Sequence, residues 1–435
     1  MQMRCDPNLK SPQYRKEDDA MNALQGKNLA KIKQQNMENI KTILYRSAQL
    51  SRAQIANQLE LTPPTITNIV GELIQQGVVQ ELEKTEGEGR GAGRKPINID
   101  LVPGAHLSLG VSLGRDATHY CITDLRGKVL AQGTADLMPE EYEAMVQQLL
   151  DLLDSIQKRY ADLWERLLGV GITLPGIVDA HNGVIKNPGY NERQEWREKP
   201  LASRISQKIG LPVRLENNTR GRACAVSLFH SELLGDYSTF AFCYVYWGIA
   251  CPLVLDNHSF RGEDAAAGEI GRMVMDPRLT TDPCSRNMPA LCMPGTLESL
   301  SSVRAILTYC REALEAGKCT VLAQICKKPE KLTLEQVLRA QEKGDEAVCK
   351  IIDRGMRYLG IALANVVNFI NPHLIFLSGP MFRNRRNLET VENMLRGYLF
   401  HAEDEQLNLV YIDLGDYGGA LGAAACCIEK YFLRA

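Results

Sequence analysis

Hydrogen-bonding side chains gathered at the start of an amphipathic helix are the first residues whose spacing suggests chemistry. In TPPTITNIVGELIQQG, residues 62–77, Ile66, Ile69, Val70, Leu73 and Ile74 recur at helical spacing and form one apolar face. Pro64, Thr65, Thr67 and Asn68 are thereby turned outward at the amino end, with Glu72 further along. Short hydroxyls and an amide can donate to and accept from base edges, and asparagine bonds adenine at two positions. A helix lying in a DNA major groove presents its first residues in this way. An ordinary helical hairpin on a protein surface would show the same apolar spacing.

The neighbouring residues supply the positioning elements. Ser51 with Gln54 reads as a capping box for a preceding helix, and Leu50 with Ile55 as its hydrophobic staple. Thr62 then caps the second helix, Pro63 takes its first position, and Leu61 staples to Ile66. An earlier helix is expected from Met37 in MENIKTILYRS, with Ile40, Ile43 and Leu44 on one side. Gly77 stops the second helix before the extended run Val78–Leu82. Three helices and a β-ribbon make a winged helix-turn-helix, expected over residues 37–86. A polar extension, 1–36, precedes it, and a Gly/Arg-rich linker, 87–100, follows. Arg52, Arg90, Arg94 and Lys95 are candidates for phosphate or minor-groove contact. The linker also reads simply as a flexible hinge.

Composition bounds the class. The 435 residues suffice for two or three domains, and 45% hydrophobic with 23% charged residues is ordinary for a soluble protein. No apolar run approaches the roughly 18 residues of a membrane helix, so a cytoplasmic location is expected. The 13 cysteines are scattered and odd in number, which fits reduced, buried thiols better than a disulfide framework. The net charge of −2 does not advertise nucleic-acid binding. Residues 1–100 hold 14 basic against 12 acidic side chains, so any DNA contact rests on local placement of charge.

From Ile97 onward short strands alternate with helices. These include an amphipathic helix from about Pro139 to Tyr160 and a strand from Leu168 to Thr173. The pattern argues an α/β domain of two lobes over 101–435.

With these motifs in place the chain resembles the ROK family of sugar repressors and sugar kinases, and within it the repressor branch typified by bacterial xylose repressors. SRAQIANQLELTPPTITNIV, GVGITLPGIVD, NPGY, ENNTRGRACA, AAGEIGRM and NFINPHLIFLSGP carry the resemblance. It implies a winged helix-turn-helix fused to a two-lobed actin/hexokinase-like ATPase fold, assembled as a homodimer or tetramer. It also implies sugar contacts from Gly176, Asn187, Asn217, Asn218, Glu269, Arg272 and Glu298.

Departures from the kinase pattern weigh against phosphoryl transfer. Ser112 and Arg115 stand in GVSLGRD where the kinases carry an Asp and a Gly or Thr. Tyr246 and Trp247 crowd Gly248 in the second phosphate loop. Asn218 replaces the catalytic Asp, and an amide cannot serve as a general base. The family's zinc is expected to be missing, because Arg272 replaces a ligating His, Thr296 stands for a Cys, and Cys284 and Cys292 alone do not complete a tetrahedral site. The expectation is therefore a sugar-responsive repressor of carbohydrate-utilisation genes, without ATP or zinc, binding double-stranded operator DNA and a monosaccharide effector. The alternatives are an ATP-dependent sugar kinase with a regulatory head, and a regulator controlled by a phosphotransferase-system protein.

Overall fold

The computed structural model describes residues 29–47, 49–82, 97–189, 191–279, 293–400 and 406–434. They form two compact units, the first running through Val102 and the second spanning Pro103–Phe432.

The first unit contains α1 (Leu29–Ser47), β1 (Leu50–Ser51), α2 (Arg52–Leu59), α3 (Pro63–Gln75), β2 (Val79–Glu81) and β3 (Asn98–Leu101). Local chemistry fixes its boundaries. The Gln54 amide N–H donates to Ser51 Oγ at 3.3 Å, and the Ser51 N–H donates to Gln54 Oε1 at 2.8 Å, which closes the capping box of α2. Glu60, left-handed at φ 53°, ends that helix, and Gly77 at φ 69° makes the turn after α3. Ile66, Ile69, Val70 and Leu73 of α3 are buried with Ile40, Leu44, Ile55, Ile99 and Leu101.

Two boundaries differ from the sequence expectation. The first helix starts at Leu29, not Met37. Asn98–Asp100, expected in the linker, and Leu101, expected to open the two-lobed domain, form the middle strand of an antiparallel sheet ordered β1–β3–β2. Ile99 and Leu101 have no exposed surface, so their burial recruits this strand into the first unit. Residues 83–96, which hold Arg90, Arg94 and Lys95, therefore connect β2 to β3 and lie outside the described residues.

The second unit is two lobes, each built on a sheet. The first lobe orders its strands β10–β7–β4–β5–β6. Here β4 is Leu107–Leu113, β5 Thr118–Asp124, β6 Val129–Ala135, β7 Leu167–Leu174 and β10 Val213–Asn217. A small hairpin, β8 (Ile177–Asp179) with β9 (Val184–Asn187), stands beside it. The second lobe joins β14–β13–β11–β15–β16, with β12 also on β11. In it β11 is Phe240–Val245, β12 Ile249–Ala250, β13 Leu253–Leu255, β14 His258–Phe260, β15 Leu374–Ser378 and β16 Asn408–Tyr411. Both sheets combine an antiparallel meander with parallel strands. The buried face of Ile352, Met356, Leu359 and Leu363 on the helix Glu346–Ile370 fills the second lobe's core.

The first lobe is closed by a helix from the far end of the chain, Gly418–Ile428. It packs against β4, β7 and the helix Asn218–Phe229. The approach leaves no room for side chains. A Cβ on Gly110 would lie 1.9 Å from the Ala420 carbonyl oxygen, and one on Gly171 would lie 1.8 Å from that of Ala423. Both obstacles are backbone, so relief requires moving a helix or a strand. Gly171→Ala is expected to cost at least about 2 kcal/mol, seen as a lower denaturation midpoint. An unchanged midpoint would contradict this packing.

Candidate functional site

The candidate residues fall into two groups. The first lies on α3. Pro64, Thr67 and Asn68 are exposed there and Thr65 is half-buried. Thr67 Oγ1 donates to the Pro63 carbonyl at 2.9 Å, and the Thr65 and Thr62 hydroxyls lie 2.9 Å apart. Local bonds thus hold both hydroxyls, and each oxygen keeps acceptor capacity beyond these contacts. Glu72 is drawn aside by Lys33 at 2.5 Å. Arg52 has a partner on its own fold: its guanidinium meets Glu81 Oε1 at 2.8 Å, tying the start of α2 to β2. An arginine held by a carboxylate on its own fold serves first to brace that fold.

The second group lines a cleft of ≈ 170 Å³ between the lobes of the second unit. Gly176, Asn217 and Asn218 line it from the first lobe, and Glu269, Arg272 and Glu298 from the second. Asn187 does not line it. That side chain accepts from the Gly189 N–H at 3.0 Å and shapes the turn behind the cleft. Gly176, at φ 96°, faces the same turn: a Cβ there would lie 2.1 Å from the Asn187 carbonyl oxygen.

The two asparagines have different roles. Asn217 caps the helix Asn218–Phe229, with Oδ1 accepting from the Thr219 and Arg220 N–H groups at 2.9 and 3.1 Å. Its Nδ2 donates to the Gly176 carbonyl at 2.8 Å, so the amide mainly positions the cleft floor. Asn218 sits on the first turn, half-buried, with Oδ1 3.3 Å from the Thr219 hydroxyl.

On the opposite wall, Glu298 Oε2 accepts from the Ile249 N–H at 3.4 Å and Oε1 stands 3.5 Å from Arg304. A Cβ on Gly248 or Gly271 would come within 3.0 Å of Glu298 Oε2, so both glycines make room for this carboxylate. Glu269 reaches solvent in the cleft, yet the surrounding protein raises its carboxyl above the usual range; Glu298 adds to the rise, while Arg220 and Arg272 oppose it.

Sequence reasoning missed part of this lining. Arg304, on the helix Val303–Glu315, carries no local motif and arrives only through tertiary packing. Tyr246 and Trp247 stood out only as obstacles to phosphate, yet both line the cleft with Tyr244. The Tyr246 hydroxyl donates to Asp116 Oδ2 at 2.8 Å, and the Arg115 guanidinium lies 4.1 Å from the Trp247 ring centre. Burial and the Asp116 hydrogen bond raise the Tyr246 phenol well above its ordinary value.

A further set of contacts crosses between the lobes beside the cleft. Arg261 grips Glu216 with both terminal nitrogens, at 2.9 and 2.5 Å, and the Glu216 side chain is 2% exposed. Arg220 donates to the Ala265 and Ala267 carbonyls, each at 2.7 Å. These bonds secure the loop that leads into Glu269.

A carboxyl whose pKa is raised by folding favours the folded state at low pH and loses that contribution as pH climbs through the raised value. Because Glu269 is solvent-exposed, screening reduces this contribution, and Glu269→Gln should raise the thermal midpoint at neutral pH only slightly. The gain should vanish below the ordinary carboxylate range, as a pH series of melting curves would show. A variant less stable than the parent at neutral pH would mean that Arg220 and Arg272 dominate.

The ROK family profile matches residues 108–430. The xylose repressor of Caldicellulosiruptor bescii is 27% identical over 393 residues, covering 90% of this chain and 94% of that protein. The DNA-binding transcriptional repressor Mlc of Escherichia coli is 24% identical over 394 residues, covering 90% and 93%. Among solved structures, a ROK family transcriptional regulator described as a homolog of E. coli Mlc aligns with a TM-score of 0.78 at 26% identity, over 92% of this chain and 97% of that one. With a helix-turn-helix head ahead of a two-lobed, hexokinase-like unit that the profile spans almost completely, the chain belongs to the ROK family.

Proposed function

We propose that this chain is a DNA-binding transcriptional repressor of carbohydrate-utilisation genes whose ROK unit senses a monosaccharide. The observation that carries the reading is the cleft. Glu269, Glu298 and Asn218 converge there from both lobes, in a space lined by carboxylates, amides and aromatic rings. Sugar hydroxyls donate and accept at once, which suits such a set, and aromatic faces cover the apolar C–H surfaces of a sugar ring. The head supplies an output: Thr65, Thr67 and Asn68 toward base edges, with Pro64 beside them and Arg90, Arg94 and Lys95 toward phosphate or the minor groove. A homodimer or tetramer places two such heads on an inverted-repeat operator. The repressor names carried by the relatives support this reading over the kinase alternative.

The reading assigns no chemistry to the cleft. Asn218 cannot take a proton from an attacking hydroxyl, and the Arg115 guanidinium stacks on Trp247 in the stretches where the resemblance expects phosphate loops. It assigns no structural zinc either. Arg272 offers no lone pair, and the Thr296 hydroxyl already donates to the Met293 carbonyl at 2.8 Å while capping the helix Leu297–Ser301. Cys284 and Cys292 lie outside the described residues.

A thermal-shift screen against monosaccharides, xylose and glucose included, tests the sensor. A true effector at 100 times its dissociation constant adds about 2.7 kcal/mol of stability. Absence of any shift across the panel, with retention of a phosphotransferase-system protein in a pull-down, would favour the protein-controlled alternative. ADP release that depends on a sugar and disappears in Asn218→Ala would instead restore the kinase. For the head, Asn68→Ala should lower discrimination between operator and non-operator DNA by about 1–3 kcal/mol while leaving sugar binding intact. Parental selectivity in that variant would remove α3 from the base-reading role.

A further inference from the structure

The β4–β5 turn of the first lobe and the β11–β12 turn of the second meet side chain to side chain at one end of the cleft. Asp116 accepts from the Tyr246 hydroxyl at 2.8 Å, and the Arg115 guanidinium covers the adjacent Trp247 at 4.1 Å. The partners are consecutive on both strands' turns, so the two contacts act as one fastening. The hairpin that carries Tyr246 and Trp247 continues into Gly248, Ile249 and Ala250, all of which line the cleft. Its backbone also reports to the opposite wall, because the Ile249 N–H is a donor to Glu298.

The fastening contains its own opposition. Trp247 Nε1 is buried and meets no acceptor among the described residues. An indole N–H taken from water without a partner disfavours the state that buries it. A charge-assisted hydrogen bond and a cation–π stack hold the turns together, while this unpaired donor favours releasing them. Opposed contributions of similar size are what a two-state element needs if a ligand is to move its population.

We propose that Asp116–Tyr246 and Arg115–Trp247 form a latch between the lobes that holds the empty cleft closed and sets its resting population. A ligand that touches both walls binds the closed arrangement, so the latch preorganises the cleft, and its loss lowers apparent affinity in proportion to the closed fraction. The consequence for affinity rests on the sugar-sensing reading. The closure itself does not.

Tryptophan quenching separates these parts. Trp164 and Trp196 are buried at 7% and 0% exposure, so acrylamide quenching of the ligand-free protein reports mainly on Trp247. Tyr246→Phe and Asp116→Asn leave the indole and the arginine in place. Each is expected to raise the quenching constant about twofold, and to weaken binding of any monosaccharide found for the parent several-fold. Arg115→Ala uncovers the ring directly and serves as the upper reference. A rise in Arg115→Ala alone, with Tyr246→Phe and Asp116→Asn matching the parent, would show that the arginine only shields the ring and would overturn the latch. Increased quenching with parental sugar affinity would overturn its preorganising role. If no sugar binds the parent, the sensing reading fails, and the quenching comparison still decides whether the latch exists.

Discussion

The second unit depends on a close crossing of two backbones. Gly221 and Gly422 face each other where the helices Asn218–Phe229 and Gly418–Ile428 meet, and a Cβ on Gly422 would lie 2.3 Å from the Gly221 carbonyl carbon. The first helix begins at the cleft with Asn217 and Asn218. The second follows directly on the chain leaving the second lobe and finishes the first. Asn217 then bonds the first helix to Gly176 across the cleft floor. The cleft is thus set by the point where chain from both lobes converges, and dense packing there passes displacements on as rigid shifts of helices.

The interlobe contacts are unequal in strength. Glu216 is buried and held bidentately by the partly exposed Arg261, so removing the arginine strands a buried carboxylate, at a cost of up to about 3–5 kcal/mol. The exposed Lys33–Glu72 pair on the head, by contrast, contributes at most about 1 kcal/mol. Glu216–Arg261 with Arg220 therefore fastens one side of the cleft. The aromatic contacts at the Tyr246–Trp247 turn are weaker and internally opposed.

How much of this was legible in the sequence follows from the range of each interaction. Ser51, Gln54, Thr62 and Pro63 act within four residues, and their pattern read correctly as two capped helices. Asn98–Leu101 also read as extended, but alternation does not name a strand's partner, so it was divided between the linker and the two-lobed domain and not placed in the head's sheet. Arg52 looked available for phosphate because Glu81, its partner, lies across the fold. In the cleft, the family resemblance gathered Gly176, Asn218, Glu269, Arg272 and Glu298, and all line one space. Asn187 stands outside that space, where its Oδ1 accepts from the Gly189 N–H in a local turn. Arg304 and the lining role of Trp247 depend on contacts distant in sequence, which no local pattern encodes.

The exposed amino end of α3 carries no cation, and the nearby Glu72 is matched by Lys33. Under the regulator reading, the head's discrimination among sequences is then decoupled from counterion release. Salt weakens all DNA complexes by competing for phosphate, in proportion to the cations engaged. A neutral reading face gains nothing from that exchange. Rising ionic strength then acts on the head's phosphate contacts, and the hydrogen bonds that α3 offers to base edges are not themselves exchanged for counterions.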